Sequence, residues 1–273
     1  MDRDQALQAA HKAAADHAWQ ESFEGFGAAR ATHELSPADL AAFSDVAYWA
    51  GHVSAAIEAR QCAYSAYEEA GRAPEAGAAA LMTSLLHFAR GDTSVASGWL
   101  GRAQRLLADV PESSAHALLA WIEGQLMGRL KGYEQALEKA REVEAIGSRV
   151  GDRDLVAMGI SMQGMMRTLM GDVAAGLSLM DEALASALAG ELGPLATAEV
   201  FCEMVVSCID AADFQRAAEW LEMADRAGRQ LDDPGSFRVQ PQLGVDRPLP
   251  QADGQGGRGG RLHHRLLRLG LMP

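Results

Sequence analysis

The chain has 273 residues, of which 48% are hydrophobic but only 6% aromatic, and a formal net charge of −13 at neutral pH. Residues 1–235 carry 35 acidic against 18 basic side chains, and this charge of −17 would repel a phosphate backbone, which argues against direct nucleic-acid binding. No apolar run of about 18 residues could span a membrane, no basic and apolar leader opens the chain, and three cysteines without paired spacing fit a reducing cytoplasm, where we expect the protein.

Helical periodicity extends through most of the chain, and the alternation that would indicate strands is nearly absent. Start signals mark several helices: Ser36-Pro37 offers a capping hydroxyl and a proline at the first helical position, and Asp152 can cap another helix. The pattern predicts twelve helices, which pair as 3–14 with 18–30, 37–50 with 53–70, 74–90 with 93–109, 114–130 with 133–149, 153–170 with 173–190, and 195–211 with 214–230.

A turn residue returns every 34 to 41 positions between the two helices of each pair. These anchor residues are His17, Gly51, Gly91, Lys131, Gly171 and Ala212. Small residues stand five positions after each anchor, at Ser22, Ala56, Ala96, Ala136, Gly176 and Ala217. Seven positions before the last five anchors stand Ser44, Ser84, Gly124, Gly164 and Val205. Small side chains at fixed offsets let antiparallel helices approach closely, so the sequence predicts an all-α solenoid of stacked helical hairpins.

After residue 235 the composition changes. Residues 236–273 contain seven glycines, four prolines and six arginines, with no lysine and no helical period. Such a stretch cannot bury enough apolar surface to offset its ordering entropy. We therefore predict a helical repeat domain over 1–232 and a disordered Gly/Arg/Pro-rich tail over 233–273. Out-of-frame translation of a GC-rich gene is a second interpretation of this tail, because one permitted back-translation, shifted by a base, gives Thr-Gly-Lys-Ala-Ala-Glu-Ala-Glu, much like a further repeat.

The offsets resemble those of tetratricopeptide repeats (TPR), whose second helix carries alanines five and twelve positions after the turn glycine. The matching residues are Gly51, Ala56 and Ala63, then Gly91, Ala96 and Ala103, and the stretch from Lys131 to Leu137 is the most similar single segment. The resemblance implies a right-handed alpha-solenoid of TPR-like helical hairpins. Here the repeats are longer than the usual 34 residues, and the proline that usually ends a repeat is not regularly placed.

The period of about 40 residues also resembles the repeat segment of bacterial LuxR-type transcriptional regulators. Two strings carry this narrower resemblance, Ala96-Ser97-Gly98-Trp99-Leu100 and Gly151-Asp152-Arg153-Asp154-Leu155. In that group the repeats sense a signal or bind a protein, and a C-terminal helix-turn-helix reads DNA. No such module is recognisable here, so the resemblance implies a sensing or protein-binding part that does not itself bind DNA.

Motifs for catalysis and metal binding are weak. The segment from Gly159 to Gly164 is similar to a nucleophile elbow around Ser161, but its second glycine comes one residue late and no strand precedes it. We interpret these glycines as packing positions in a helix. His11 and His17 are six positions apart and share no helical face, which argues against a metal pair. We therefore expect no enzymatic activity, no cofactor and no metal site.

Partner-binding residues are predicted on the first helix of each pair, which in TPR-like proteins lines the concave groove. The candidates are Asp45, Tyr48, Trp49, Phe88, Trp121, Gln125, Arg129, Met165 and Thr168. This aromatic and methionine-lined track suits an amphipathic peptide or helix. Packing against neighbouring repeats is the alternative for the apolar members, whereas Asp45, Gln125 and Arg129 would be costly to bury unpaired.

Two main interpretations of function remain open at this point, and an enzyme whose site is assembled from scattered groove residues is a remote third. The first is a non-enzymatic TPR-like protein-interaction or sensing module that forms a truncated part of a LuxR-type regulator. The second is a free-standing cytoplasmic scaffold without any DNA-linked role. In either case an uncapped last repeat would expose Phe214, Leu221 and Trp220, so we also expect possible self-association through that end.

Overall fold

The computed structural model describes residues 3–32 and 34–230, which form twelve α-helices and contain no strand. The helices are α1 (Arg3–Ala15), α2 (Trp19–Thr32), α3 (Pro37–Trp49), α4 (Val53–Glu69), α5 (Ala73–Arg90), α6 (Thr93–Leu107), α7 (Ser114–Arg129), α8 (Tyr133–Val150), α9 (Arg153–Leu169), α10 (Val173–Leu188), α11 (Pro194–Asp210) and α12 (Phe214–Gln230). The predicted bounds differ from these by two residues at most, so the all-α prediction is confirmed. In this part of the chain no helix has the length and apolar character needed to cross a membrane.

The chain divides into two compact units, and the division falls inside α7. The first unit holds the residues up to Leu119, and the second runs from Ala120 to Asp225. In the first unit α1 packs on α2, α3 on α4, α4 on α5 and α5 on α6. In the second unit α9 packs on α8, α10 and α11. A single repeat domain over 1–232 stays a prediction, and the predicted tail over 233–273 lies outside the described residues.

All six anchor residues adopt the left-handed backbone conformation. Their φ angles are 58° at His17, 83° at Gly51, 87° at Gly91, 63° at Lys131, 93° at Gly171 and 57° at Ala212. At Gly91 the N–H donates to the carbonyl of Phe88 at 3.0 Å, and the next N–H donates to the carbonyl of His87 at 2.9 Å. The same two bonds recur at every anchor and satisfy carbonyls that the end of the first helix leaves free. The predicted turn positions are therefore confirmed.

Small residues at the predicted offsets meet across the hairpins. The hydroxyl of Ser44, seven positions before its anchor, donates to the carbonyl of Ala56, five positions after it, at 2.8 Å. Ser84 donates to the carbonyl of Ala96 at 2.8 Å in the same way. A hydroxyl can reach a backbone carbonyl of the facing helix only when the two backbones lie close together. These bonds therefore show that the offsets mark the contact between paired helices.

In the second unit, glycines lie at positions where two helices are in close contact. A Cβ atom at Gly164 would lie 2.7 Å from the carbonyl oxygen of Gly176, which leaves no room for a side chain. One at Gly159 would lie 2.6 Å from the backbone nitrogen of Glu144 on α8. Both glycines of the segment around Ser161 are thus packing positions inside a helix, as predicted from the sequence.

The predicted helix caps are also present. Ser36 Oγ accepts a hydrogen bond from the N–H of Asp39 at 3.1 Å, and Asp152 Oδ1 accepts one from the N–H of Leu155 at 3.2 Å. One expectation about α12 is wrong: Leu221 is only 2% exposed, while Phe214 and Trp220 are half-buried. The ring of Trp220 contacts Phe201 on α11 edge-on, because α12 packs its apolar side on that helix. Self-association through this end stays a prediction.

The left-handed anchors predict opposite effects of two substitutions. Gly91→Ala should lower the free energy of unfolding by about 1–2 kcal/mol, because a Cβ is strained in this conformation although nothing lies within 4 Å of it. Lys131→Gly should raise it by about 0.5 kcal/mol, because relief of the same strain outweighs the extra backbone entropy of glycine. Chemical denaturation measures both changes. A loss of stability in Lys131→Gly would contradict the argument.

Candidate functional site

A buried acid occupies the middle of α11. Glu203 is 1% exposed, and its Oε1 accepts a hydrogen bond of 2.6 Å from Nε2 of Gln125 on α7. Among the described residues its Oε2 has no hydrogen-bond partner. The helix buries this side chain because the residues around it, from Val200 to Cys208, are mostly apolar and pack into the second unit.

A second acid and an arginine lie beside this carboxyl group. Glu199 stands one helical turn before Glu203 on the same face of α11 and is half-buried. Arg129, near the end of α7, is exposed and acts on Glu199 through its positive charge. Within the described chain Arg129 forms no ion pair, so its charge is not neutralised by direct contact with a carboxylate.

Burial dominates the protonation of both acids. The pKa of Glu203 is raised to about 8, mainly by burial and also by the negative charge of Glu199, although hydrogen bonding to Ser161 and Gln125 favours the charged form. Burial likewise raises the pKa of Glu199 to about 7, against the opposing charge of Arg129. Arg129 keeps an exposed surface, but the protein around it partly desolvates its guanidinium group and lowers its pKa, and the charge of Glu199 opposes this shift. Near neutral pH the two acids therefore hold protons that exposed carboxyl groups would have lost.

Several buried polar atoms on the three helices of this cluster lack hydrogen-bond partners within the described residues. The hydroxyl of Ser161 on α9 faces the carboxyl group, yet its Oγ makes no hydrogen bond of ordinary geometry within the described residues. Ser207 Oγ on α11 and Trp121 Nε1 on α7 are also buried without a partner there. Buried polar atoms in folded proteins are nearly always hydrogen-bonded, so this group of unsatisfied atoms in one unit is unusual.

Five of the predicted partner-binding residues lie in this unit. Gln125 and Arg129 belong to the acid cluster. Trp121 and Met165 are each 4% exposed and Thr168 is 6% exposed, with its hydroxyl donating to the carbonyl of Gly164 at 3.0 Å. These three side chains pack inside the unit, so contact with a partner would require their neighbours to move. Their assignment as binding residues stays a prediction.

The other four candidates lie in the first unit. Asp45 is half-exposed and forms an ion pair with the buried Arg60 of α4. Trp49 is 8% exposed, and its ring lies 5.3 Å from that of the half-buried Tyr48. Phe88 is half-buried as well. Asp45 therefore already has a partner inside the chain, and the aromatic side chains keep only part of their surface for contact.

Sequence reasoning missed three members of the cluster: Ser161, Glu199 and Glu203. A signal for Glu203 was present, because an acid within the apolar stretch from Val200 to Val206 is rare on a buried helix. Glu199 follows at helical spacing, which places both acids on one face. Ser161 was assigned to a failed catalytic motif, and only the packing of α9 on α11 brings it to the carboxyl group.

Comparisons with known proteins add no family to this description. Neither a scan against protein-family models nor a search of the curated proteins returned a match.

The side chains of the described residues contain no group of three or more His, Cys, Asp and Glu that could hold a metal ion. The site is therefore defined by its own geometry: two acids, one amide, one hydroxyl and one arginine on α7, α9 and α11.

The raised pKa of Glu203 predicts a stability that falls as the pH rises. The folded chain keeps a proton on Glu203 up to about pH 8, whereas an unfolded chain releases it near pH 4.5, so stability is lost across that window. Glu203→Gln should make the chain more stable than the wild type at pH 8 by at least the ~1.4 kcal/mol that one unit of pKa shift represents. The two chains should differ little at pH 4.5.

Urea denaturation at both pH values measures this difference. Glu182→Gln is the matched control, because Glu182 is an exposed acid on α10 of the same unit and should give no such change. A wild type that is as stable as Glu203→Gln at pH 8 would show that Glu203 is not kept protonated by folding.

Proposed function

We propose that the chain is a non-enzymatic, TPR-like binding module, a right-handed solenoid that holds a protein, peptide or small ligand against the first helices of its hairpins. The observation that carries this proposal is the polar cluster on α7, α9 and α11, which are the first helices of three consecutive hairpins. Side chains 78 positions apart, Gln125 and Glu203, meet there by a hydrogen bond. First helices that bring distant polar groups together suit recognition by a repeat surface.

The regular hairpin geometry supports the same proposal. Six turns share one backbone conformation, so the same helical hairpin is repeated along the chain. Hydrogen bonds from Ser44 and Ser84 show that small residues lie where the two helices of a hairpin meet. Repeats of this kind build extended surfaces by addition and leave side chains outside the helix contact free to vary. The cluster contains a serine hydroxyl but no histidine to activate it, and the neighbouring Glu203 holds a proton near neutral pH, so the arrangement is better suited to binding than to nucleophilic catalysis.

We further propose that the module belongs to a cytoplasmic LuxR-type regulator, in which it senses a signal or binds a protein. The strings around Trp99 and Asp152 and the period of about 40 residues support this assignment. The charge of −17 over residues 1–235 is compatible with it, because a sensing segment of such a regulator does not itself need to contact DNA.

Selection from a library of random displayed peptides tests the binding proposal with the full chain. Peptides that are enriched should lose about fivefold in affinity on Arg129→Ala, because truncation of a recognition arginine costs about 1 kcal/mol or more. Arg129 is exposed, so this variant should fold normally. Isothermal titration calorimetry of the enriched peptides measures the change.

Arg141→Ala is the matched control for this selection. Arg141 is an exposed arginine on α8, a second helix, where it bonds Glu138 of the same helix. Enriched peptides should bind this variant as they bind the wild type. Failure of any peptide to be enriched, or equal binding to both variants, would count against a recognition surface on the first helices.

The regulator assignment predicts what the gene encodes beyond codon 235. A frame that continues the 40-residue repeat and reaches a helix-turn-helix would support a LuxR-type regulator. A gene in which neither other frame continues the repeat, and in which no DNA-binding module is joined to it, would leave the free-standing scaffold as the better proposal. Sequencing the genomic DNA across and beyond this codon gives the answer.

A further inference from the structure

We infer that the cluster around Glu203 is a binding site for a cationic nitrogen, a primary ammonium or guanidinium group on an alkyl chain. This inference rests on the proposed function, because it names the ligand chemistry of the same first-helix surface. Its parts are Gln125 on α7, Ser161 on α9, and Glu199 and Glu203 on α11. The carboxylate oxygen of Glu203 without a partner is the atom that would accept the ligand.

Two unsatisfied atoms at the cluster can accept a hydrogen bond: Oε2 of ionised Glu203 and Oγ of Ser161. Oε2 of Glu203 is buried and lacks a donor, while Oε1 already accepts from the amide of Gln125 at 2.6 Å. The Ser161 hydroxyl has a free oxygen lone pair beside it, and Glu199 adds a second carboxyl group within reach of the same face. An ammonium group offers three N–H donors and a guanidinium group five, and neither has an acceptor that would compete.

Charge favours the same class of ligand. Two carboxyl groups adjoin one another, and the nearest cation, Arg129, acts on Glu199 without an ion pair. A cation bound beside them would favour the ionised form of one or both carboxyl groups and so release the protons that burial now holds there. The acidic chain as a whole would raise the local concentration of such ligands by electrostatic steering.

The other charged and polar side chains of the cluster on α7 and α11 are less buried than Glu203. Glu203 itself is 1% exposed, but Gln125 and Glu199 are half-buried and Arg129 is exposed. The long side chains of Gln125 and Glu199 can change rotamer without moving their helices. Arg129 is exposed and its charge already acts on Glu199, so it would compete with an added cation for that carboxyl group. Removal of Arg129 should therefore strengthen binding of a small cation.

Other charged groups on the helices around α11 have partners elsewhere. Asp154 on α9 accepts from the N–H of Gly193 at 2.9 Å, and Arg167 faces Asp172 at 3.4 Å. Arg216 on α12 bonds Asp181 of α10, Glu123 on α7 faces Lys139 at 3.0 Å, and Glu144 on α8 accepts from Gln163. The pH dependence of cation binding should therefore follow Glu199 and Glu203.

Titration of the full chain, labelled with ¹⁵N, with n-butylammonium chloride and butylguanidinium chloride tests the inference. At pH 8 the side-chain amide of Gln125 and the indole N–H of Trp121 should shift and saturate, and the dissociation constant should rise at least tenfold at pH 6, where protons compete. 1-Butanol is the neutral control and should not give saturable shifts. Nα-acetyl-lysine amide carries the same ammonium group on a protein side chain. If it binds as tightly as n-butylammonium, the site accepts a lysine side chain of a protein; if it binds more weakly, the ligand is a free amine.

Two variants separate the site from the rest of the chain. Glu203→Gln should weaken binding of both cations at least tenfold, because glutamine keeps an acceptor for Gln125 but replaces Oε2 by a donor. Arg129→Ala should strengthen binding two- to threefold, an outcome that loss of folding cannot imitate. The exposed Glu182→Gln should bind like the wild type, and thermal melts should show that all three variants are folded.

Failure of this inference is distinct from failure of the proposed function. No saturable shift in the wild type at pH 8, equal binding by Glu203→Gln, or the same shifts with 1-butanol would each overturn the cation site. Peptide selection could still enrich ligands that depend on Arg129, which would leave the binding module in place. Saturable cation binding without any enriched peptide would instead support a small-molecule sensor.

Discussion

The left-handed residue that closes each hairpin is the constraint on which the other contacts depend. It reverses the chain with two backbone hydrogen bonds at each of six turns. Because this geometry is the same each time, it brings the position seven before the turn against the position five after it. A large side chain at either position would separate the helices, so serine, alanine or glycine occupies most of them. The rest of each first helix is then free to carry other chemistry.

Local chemistry explains why the turns and the helix caps could be predicted from the sequence. A turn and a cap depend on a few neighbouring residues, so Ser36 and Asp152 were sufficient signals for two helix starts. The spacing also identified Lys131 and Ala212, which adopt the left-handed conformation without being glycines. Composition alone would have missed both. Only the regular spacing of the turns identified these two positions, because lysine and alanine do not by themselves indicate a left-handed turn.

Side-chain contacts between helices could not be predicted in this way. Asp45 was expected to be available to a partner, but Arg60 reaches it from the next helix. The acid at Glu203 was overlooked because its neighbours in sequence indicate only a buried helix, whereas its hydrogen bond comes from Gln125, 78 positions away. Such contacts depend on which faces of α7, α9 and α11 meet and on the rotamers of long side chains. No single periodic pattern encodes them.

The buried serines show how the cluster around Glu203 differs from the contacts between the helices of a hairpin. Ser44 and Ser84 lie at hairpin contacts and each donates to a carbonyl. Ser161 and Ser207 lie near Glu203 and have no such partner in the described chain. An apolar residue in place of a buried, incompletely paired acid is often neutral or stabilising, so packing alone gives no reason to keep Glu203. Five of the six unsatisfied buried polar atoms among the described residues lie in the second unit, and the proposed cation would satisfy the one on Glu203.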